Sequence, residues 1–395
     1  MISITDPKEC CGCTACQSIC PQGAISMEPD NLGFLYPVID ENKCTKCNLC
    51  SKVCSFTKNY KKATVDEIEV YAVRHKKIAE IEKSRSGAMF VAITDYIIDK
   101  GGIVYGAGYK GHFVVTHKRA INKEERDEFR GSKYVQSDLS NTFKNIRKDL
   151  KDGYLVCFSG TPCQTSGLRS YLETSRTDSK NLITIDIVCH GVPSPYIWRD
   201  YLAYIEKEYH GKATAVSFRD KEVCGWTAHK ESFIINGKKV INDNYTNLFY
   251  KHIMLRHSCG ACHFTNITRP SDITLADFWG WEKVDTKFNS DDKGVSLVLI
   301  NSPKGKEIFN AVIEDLNVVE TILQVAMKQN HPLNHPSDIS PLRDKFEKEY
   351  KNNGFEYVFK KYGKFDKPGI FVEFINKIKW NFRKRVFNKL WKKRK

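Results

Sequence analysis

Cys10, Cys13, Cys16 and Cys20 are spaced C-x2-C-x2-C-x3-C, and Cys44, Cys47, Cys50 and Cys54 repeat that run 34 positions later. Asp6 and Asp40 precede the two runs at the same shift, so the segment is an internal duplication. Nothing else in the chain restricts its folding as much. Two-residue gaps let three thiolates surround one iron–sulfur cube, while the fourth cysteine, at the start of a turn, reaches the other cube. The spacing predicts two [4Fe–4S] clusters with crossed ligation. Cys10, Cys13, Cys16 and Cys54 would hold one, and Cys44, Cys47, Cys50 and Cys20 the second. A zinc ion prefers two separated cysteine pairs around one tetrahedron, which a duplicated triplet-plus-one fits poorly. Pro21 follows the first run, whereas Ser55 stands at that place in the second. Cys11 reads as a small packing thiol.

These residues resemble a bacterial-type two-cluster ferredoxin over about residues 1–62. A relay of that kind implies a redox centre elsewhere in the chain. The chain has 15 cysteines in all, and its first ten residues carry neither a basic nor an apolar export signal. The cysteines therefore read as metal ligands in a cytoplasmic protein, not as disulfides. No window of about 18 apolar residues is present to span a membrane. The net charge of +15 invites a nucleic-acid reading, but residues 377–395 hold ten Lys/Arg and no acid, which leaves the rest at 15 − 10 = +5. A body groove for a phosphate backbone is not indicated, and no nucleic-acid partner is expected.

From residue 65 to about 345, short β-branched runs alternate with amphipathic ones. Strands are expected at 69–74, 102–109, 113–117, 154–158, 182–188, 213–218 and 295–300, and helices at 88–100, 139–151, 164–173, 195–208 and 306–316. The expected fold class is α/β or α+β: a small ferredoxin-like domain, then a larger mixed-sheet α/β domain over 65–345, then a basic helical tail over 346–395.

Two expected strand ends carry cysteines. Ser159-Gly160-Thr161-Pro162-Cys163 turns from a strand into a helix start, where free N–H groups and the dipole would lower a thiol pKa. Cys189-His190-Gly191 follows the next such strand, and ligands gather beyond the carboxyl ends of strands in open α/β sheets. With the Cys259/Cys262 pair these give four ligands for a third [4Fe–4S] cluster. The other reading is two buried thiols plus a small zinc or redox pair. Cys157 and Cys224 read as packing residues.

Six blocks now resemble, in order, the beta-subunit family of coenzyme F420 hydrogenases and dehydrogenases. They are Ser84-Arg85-Ser86-Gly87, Gly131-Ser132-Lys133-Tyr134-Val135-Gln136-Ser137, Phe158 through Gln164, Cys189 through Ser194, Phe218-Arg219-Asp220-Lys221 with Gly225-Trp226, and Arg269 through Thr274 leading to Asp277-Phe278-Trp279-Gly280. The resemblance implies FAD beside an iron–sulfur cluster, and electron exchange between a two-electron carrier and one-electron carriers. It implies flavin contacts from Ser84, Arg85, Ser86, Gly87, Gly131, Ser132, Lys133, Tyr134, Ser159, Gly160, Thr161, Pro162 and Asp277. It supports the third cluster at Cys163, Cys189, Cys259 and Cys262. Ala88 stands where the family often has a second glycine. Members also occur where the deazaflavin coenzyme is not made, in association with surface-polysaccharide synthesis. His190 is the candidate proton donor, having a side chain that titrates near neutrality. No G-x-G-x-x-G follows a strand into a helix, which disfavours direct NAD(P)H use.

In residues 368–395, Phe371, Phe374, Ile375, Ile378, Phe382, Val386 and Leu390 recur at helical steps, with Trp380 and Trp391 alongside and Lys/Arg between them. Such a helix suits the headgroup region of an anionic membrane, at the inner face of the cell membrane, and the alternatives are docking on a partner protein or RNA binding. The sequence thus predicts an iron–sulfur flavoprotein oxidoreductase that exchanges electrons with an organic substrate or deazaflavin-type coenzyme and with a redox partner protein or small carrier. The alternatives are an electron-transfer adaptor without its own substrate, and a zinc-bearing nucleic-acid binder.

Overall fold

The computed structural model describes residues 2–56 and 68–363. The cysteine segment contains two short helices, Ala15–Ile19 and Leu49–Val53, and an antiparallel hairpin of β1 (Ile25–Pro29) and β2 (Leu35–Ile39). Each helix starts from a left-handed residue, Thr14 at φ 62° and Asn48 at φ 63°. The duplication in sequence is thus a duplication in backbone: the chain bends back just after Cys13 and just after Cys47.

The body is built on β3 (Glu69–His75), β4 (Ile103–Lys110), β5 (Val114–Ala120), β6 (Val156–Gly160), β7 (Leu182–Ile187), β8 (Ala213–Ser217), β9 (Glu231–Ile235), β10 (Lys238–Asn242), β11 (Ile273–Asp277), β12 (Ser296–Ile300) and β13 (Leu316–Thr321). Eight of these form one mixed sheet in the order β13-β3-β12-β11-β7-β6-β4-β5. The central strands β11, β7, β6 and β4 run parallel, and antiparallel pairings flank them. Continuous apolar runs such as Ser296–Ile300 are buried throughout, as strands covered on both faces require. β8, β9 and β10 make a separate antiparallel sheet.

The parallel arrangement puts the carboxyl ends of β6, β7 and β11 at one edge, so Cys163, Cys189 and Asp277 share a neighbourhood. Leu32 and Phe34 of the cysteine segment pack in the same core as Ile197 and Trp198 of the helix Pro195–Glu208. The helix Arg343–Tyr362, which spans the expected 345/346 boundary, enters that core through Phe346, Tyr350, Val358 and Phe359.

The expected elements are present with ends displaced by a few residues, with one change of type. The expected helix 306–316 ends early. The helix Pro303–Val312 passes through a 3-10 turn, and Leu316 opens β13, where β-branched Val318, Val319 and Thr321 pair with β3. No helix among the described residues is long and apolar enough to cross a membrane. The basic stretch 368–395 lies outside the described residues.

Candidate functional site

The eight amino-terminal cysteines fall into two groups in space, Cys10, Cys13, Cys16 and Cys54 in one and Cys20, Cys44, Cys47 and Cys50 in the other. Burial raises the Cys16 thiol pKa, and the charges of Cys13, Cys10 and Cys54 add to it. Cys10 likewise feels Cys13 and Cys54. Cys20 leaves its own run and lines a small cavity with Cys44, Cys47 and Cys50. Backbone amides are aimed at sulfur: Ala24 N–H donates to Cys20 Sγ at 3.3 Å, and Ile2 N–H to Cys50 Sγ at 3.3 Å. Such bonds help set the potential of a thiolate-held cluster. Among the described residues, no group of three or more His, Cys, Asp or Glu is placed to hold a single metal ion. Four thiols around one space, with N–H groups on their sulfurs, fit a thiolate-held iron–sulfur cube.

The body cysteines also converge. Cys163 sits in the first turn of the helix Pro162–Thr174, Cys189 follows β7, and Cys259 and Cys262 belong to the 3-10 turn His257–Ala261 and its cap. Burial raises Cys189, with further contributions from the charges of Cys259, Cys163 and Cys262. Burial raises Cys262 to about 12, again with Cys163 and Cys259 acting on it. Gly191 N–H donates to Cys189 Sγ and Val192 N–H to Cys259 Sγ, both at 3.4 Å. Gly191, at φ 100°, lets the turn close: a Cβ there would lie 3.3 Å from Cys259 Cβ.

Cys11 is not a passive filler. Its buried thiol packs in one cluster with Cys13 and Cys54 of the cysteine segment and Cys163 and Cys262 of the body. The Cys11 thiol is the main influence that brings Cys163 down to about 7. Cys157 is buried in the core of the large sheet, as a packing thiol should be. Cys224 ends the short helix Lys221–Cys224.

A cavity of about 510 Å³ opens between the Ser84–Arg85 and Gly131–Lys133 segments and β8. Ser84, Arg85, Gly131, Ser132 and Lys133 line it, as the resemblance implies. Gly131, at φ 76°, has open space at its Cβ position. The Lys133 Nζ turns inward to donate to Glu128 O at 2.5 Å and Arg130 O at 3.1 Å, and burial pushes it down to about 7.

The other expected flavin contacts are used elsewhere. A Cβ on Gly87 would lie 2.1 Å from Val73 O, so this glycine serves close packing on β3 and not a ligand. Ser86 Oγ donates to Val295 O. Ser159 O accepts from His117 Nε2 at 3.0 Å, and the Thr161 amide is capped by Gln164. Gly160 packs against Phe158. Pro162 begins the helix. None of these six residues lines the cavity.

Asp277 and Tyr134 stand behind Arg219, which does line it. Arg219 Nη1 donates to the Asp277 carboxylate at 2.5 Å, and Arg85 Nε lies 3.5 Å from the same oxygen. Arg219 Nη1 is 3.5 Å from the Tyr134 hydroxyl and its guanidinium lies 5.3 Å from the Trp279 ring. Two cations against one carboxylate leave positive charge over. Arg85 Nη1 and Arg219 Nε are buried without hydrogen-bond partners, which suits an anionic ligand. Burial brings the Arg85 pKa down to about 10, against the opposing pull of Asp277.

His190 points elsewhere. Its Nε2 is 2.8 Å from His252 Nε2, and His252 Nδ1 is 2.7 Å from Asp338 O. A carbonyl only accepts, so His252 carries its proton on Nδ1 and the His190 Nε2–H donates to His252. Burial, His252 and His331 hold His190 down at about 4. It is neutral near pH 7 with its one N–H engaged, which argues against the expected role as a free proton donor. His229 lies between His190 and the Arg85/Arg219 pair, held down at about 2 by burial and by those cations.

Sequence reasoning gave no role to Arg256, His229, Tyr250 or His252. Only Arg256 left a trace: a lone basic residue after apolar Ile253, Met254 and Leu255, just ahead of Cys259. The Arg269–Thr274 block is structural. Arg269 pairs with Asp186 at 3.1 Å, and Asp272 accepts from Thr184 and Ser302, which pins β7 to β11 and β12.

Residues 9–58 match the 4Fe–4S dicluster domain, and residues 154–322 match the C-terminal region of the coenzyme F420 hydrogenase/dehydrogenase beta subunit. An uncharacterized protein of Methanocaldococcus jannaschii is 23% identical over 379 residues, covering 82% of this chain and 95% of that protein. A chain of the F420-reducing [NiFe] hydrogenase complex from Methanosarcina barkeri superposes with a TM-score of 0.47 at 16% identity, covering 76% of this chain and 92% of that one.

Proposed function

From a chain that is an iron–sulfur, oxidoreductase-type relative of the coenzyme F420 hydrogenase/dehydrogenase beta subunit, we propose an electron relay that ends at a flavin. Cys10, Cys13, Cys16 and Cys54 hold one [4Fe–4S] cluster, Cys20, Cys44, Cys47 and Cys50 a second, and Cys163, Cys189, Cys259 and Cys262 a third. FAD sits in the cavity lined by Arg85, Gly131 and Lys133. The clusters supply one-electron relays, and FAD supplies exchange between one-electron and two-electron carriers.

The observation that carries this reading is Cys11, which is buried in one cluster with Cys13 and Cys54 of the cysteine segment and Cys163 and Cys262 of the body. Ligands of an amino-terminal cluster and of the body cluster are thus one thiol apart, which supports a continuous wire. At the far end, Arg85 and Arg219 offer unpartnered N–H groups to the anionic edge of the cofactor, and Asp277 fixes their direction. The two-electron partner is an organic substrate, of the surface-polysaccharide class, or a deazaflavin coenzyme. A redox protein or small carrier serves the amino-terminal clusters. The basic stretch 368–395 brings the chain to the inner, anionic face of the membrane.

Anaerobic purification with iron, acid-labile sulfide and released-flavin analysis tests the reading. About twelve irons per chain with one flavin support it. Clusters without flavin would leave an electron-transfer adaptor, and a colourless, sulfide-free chain would overturn the whole relay.

A further inference from the structure

Arg256 is fully buried, yet no Asp or Glu among the described residues forms an ion pair with it. Its hydrogen bonds instead join two parts of the chain. Nε donates to Cys10 O at 2.8 Å, Nη2 to Leu35 O at 2.9 Å and towards Cys10 Sγ at 3.6 Å, and Nη1 to Gln136 Oε1 at 2.9 Å. The guanidinium also lies 4.2 Å from the Tyr36 ring. Gly12 makes the space: at φ 70°, a Cβ there would stand 2.8 Å from Arg256 Nη1. Gln136 Nε2 in turn donates to Cys11 O at 2.9 Å. One acid, Asp30, feels this cation at longer range, but its carboxylate is used by the amides of Leu32 and Phe34.

A guanidinium buried without an anion is costly, and fixed charges in interiors are normally compensated. The proposed cluster ligand that its guanidinium reaches is Cys10, through the carbonyl at 2.8 Å and towards Sγ at 3.6 Å. Four thiolates on a [4Fe–4S] core give a net anion. The missing counter-charge is therefore the cluster itself.

Resting on the cluster reading above, we infer that Arg256 is the built-in counter-cation of the cluster held by Cys10, Cys13, Cys16 and Cys54. It is a positioning residue that seats the cysteine segment on the body and biases that cluster towards its reduced state. Reduction adds one electron to an already anionic group, so a cation fixed beside it stabilises the reduced form more than the oxidised one. None of the hydrogen bonds of Arg256 reaches Cys20, Cys44, Cys47 or Cys50. Their cluster serves as an internal reference.

The test is an EPR-monitored redox titration of the full chain, purified anaerobically, beside Arg256→Gln, Arg256→Lys and Gln136→Glu. The waves of the two amino-terminal clusters are assigned with Cys16→Ser and Cys47→Ser. Arg256→Gln removes the charge, and the one-electron equilibrium of the Cys16-sensitive wave should move at least tenfold towards the oxidised form, about 59 mV lower. Gln136→Glu neutralises Arg256 in place and should move the same wave in the same direction even where Arg256→Gln fails to assemble. Arg256→Lys should restore most of the shift, and the Cys47-sensitive wave should stay in place. Equal movement of both waves, or none, in variants that retain their iron would overturn the inference. A parent chain without acid-labile sulfide would instead overturn the cluster reading beneath it.

Discussion

Cys11 and Cys163 pack against one another across the junction between the cysteine segment and the body, with Phe56 and Phe264 closing the cluster. In the proposed relay Cys163 is a ligand of the body cluster, whereas Cys11 packs between ligands and is not one itself. Cys11→Ala should therefore keep the iron and sulfide content of the parent chain. Cys163→Ala should lose about four irons of about twelve, since a cube short of one thiolate is released or degraded. Metal and sulfide analysis of the two variants separates these roles. An equal loss from both would make Cys11 a ligand.

The contrast between those two cysteines also marks how far the sequence was legible. Crossed ligation follows from the C-x2-C-x2-C-x3-C spacing, because local loops fix which thiols face one another, and Cys20 and Cys54 stand where that spacing requires. The convergence of Cys163 and Cys189 was readable from two strand-to-helix turns, because parallel strands end at a common edge. The role of Cys11 was not readable. It depends on a contact with a residue 152 positions away (163 − 11), which no local pattern encodes. The glycine-rich turns misled in a different manner. Gly87 and Gly131 look alike in sequence, yet one meets backbone and the other meets open space.

Arg85→Met should separate cofactor binding from folding. The variant leaves the Arg219–Asp277 pair in place at 2.5 Å, so the buried carboxylate keeps a partner. It removes the unpartnered, buried Nη1 of a residue that lines the cavity. A charge-assisted hydrogen bond contributes about 1.5–3 kcal/mol, so flavin affinity should fall by about ten- to a hundredfold with iron content unchanged. Fluorescence titration of the deflavinated chain with FAD measures this, and unaltered affinity would remove Arg85 from the cofactor site.

His117 should make stability depend on pH. It stacks on Phe158 at 5.3 Å, donates from Nε2 to Ser159 O and accepts from Ser137, and burial holds it down at about 4. The unfolded side chain takes its proton at about 6.5. Between those values the unfolded state binds more protons, so stability is retained above pH 6.5 and lost as pH falls towards 4. At pH 5 the loss from this residue is about 2 kcal/mol. His117→Phe carries a cost of its own that is the same at each pH. The urea-denaturation gap between parent and variant should therefore narrow by that amount from pH 7.5 to pH 5. A gap independent of pH would contradict the neutral, buried assignment.

Membrane attraction through residues 368–395 should respond to lipid charge and salt. Polybasic segments gain about 1 kcal/mol per basic residue near an anionic surface. The full chain should float with vesicles rich in phosphatidylserine or phosphatidylglycerol and lose that association at high salt. A chain ending at Pro368 should remain at the bottom of the gradient, and equal flotation of the two would remove the membrane role.

Gly87→Ala distinguishes a packing glycine from a ligand-contacting one. The added Cβ would meet Val73 O at 2.1 Å and Ser296 N at 2.7 Å, both backbone atoms of paired strands that cannot turn aside. Relief requires moving the start of the helix Met89–Asp99 away from β3, where Ala88 already holds a left-handed backbone at φ 68°. Overpacking of this kind costs about 3 kcal/mol, and the cost should appear equally with and without flavin. Gly131→Ala meets nothing within 4 Å and carries only the strain of φ 76°, about 1–2 kcal/mol. Because Gly131 lines the cavity, its substitution should also weaken flavin binding, whereas Gly87→Ala should lower the denaturation midpoint at unchanged flavin affinity per folded chain. Urea midpoints measured with and without FAD compare the pair, and a flavin-dependent effect at Gly87 alone would return that residue to the cofactor site.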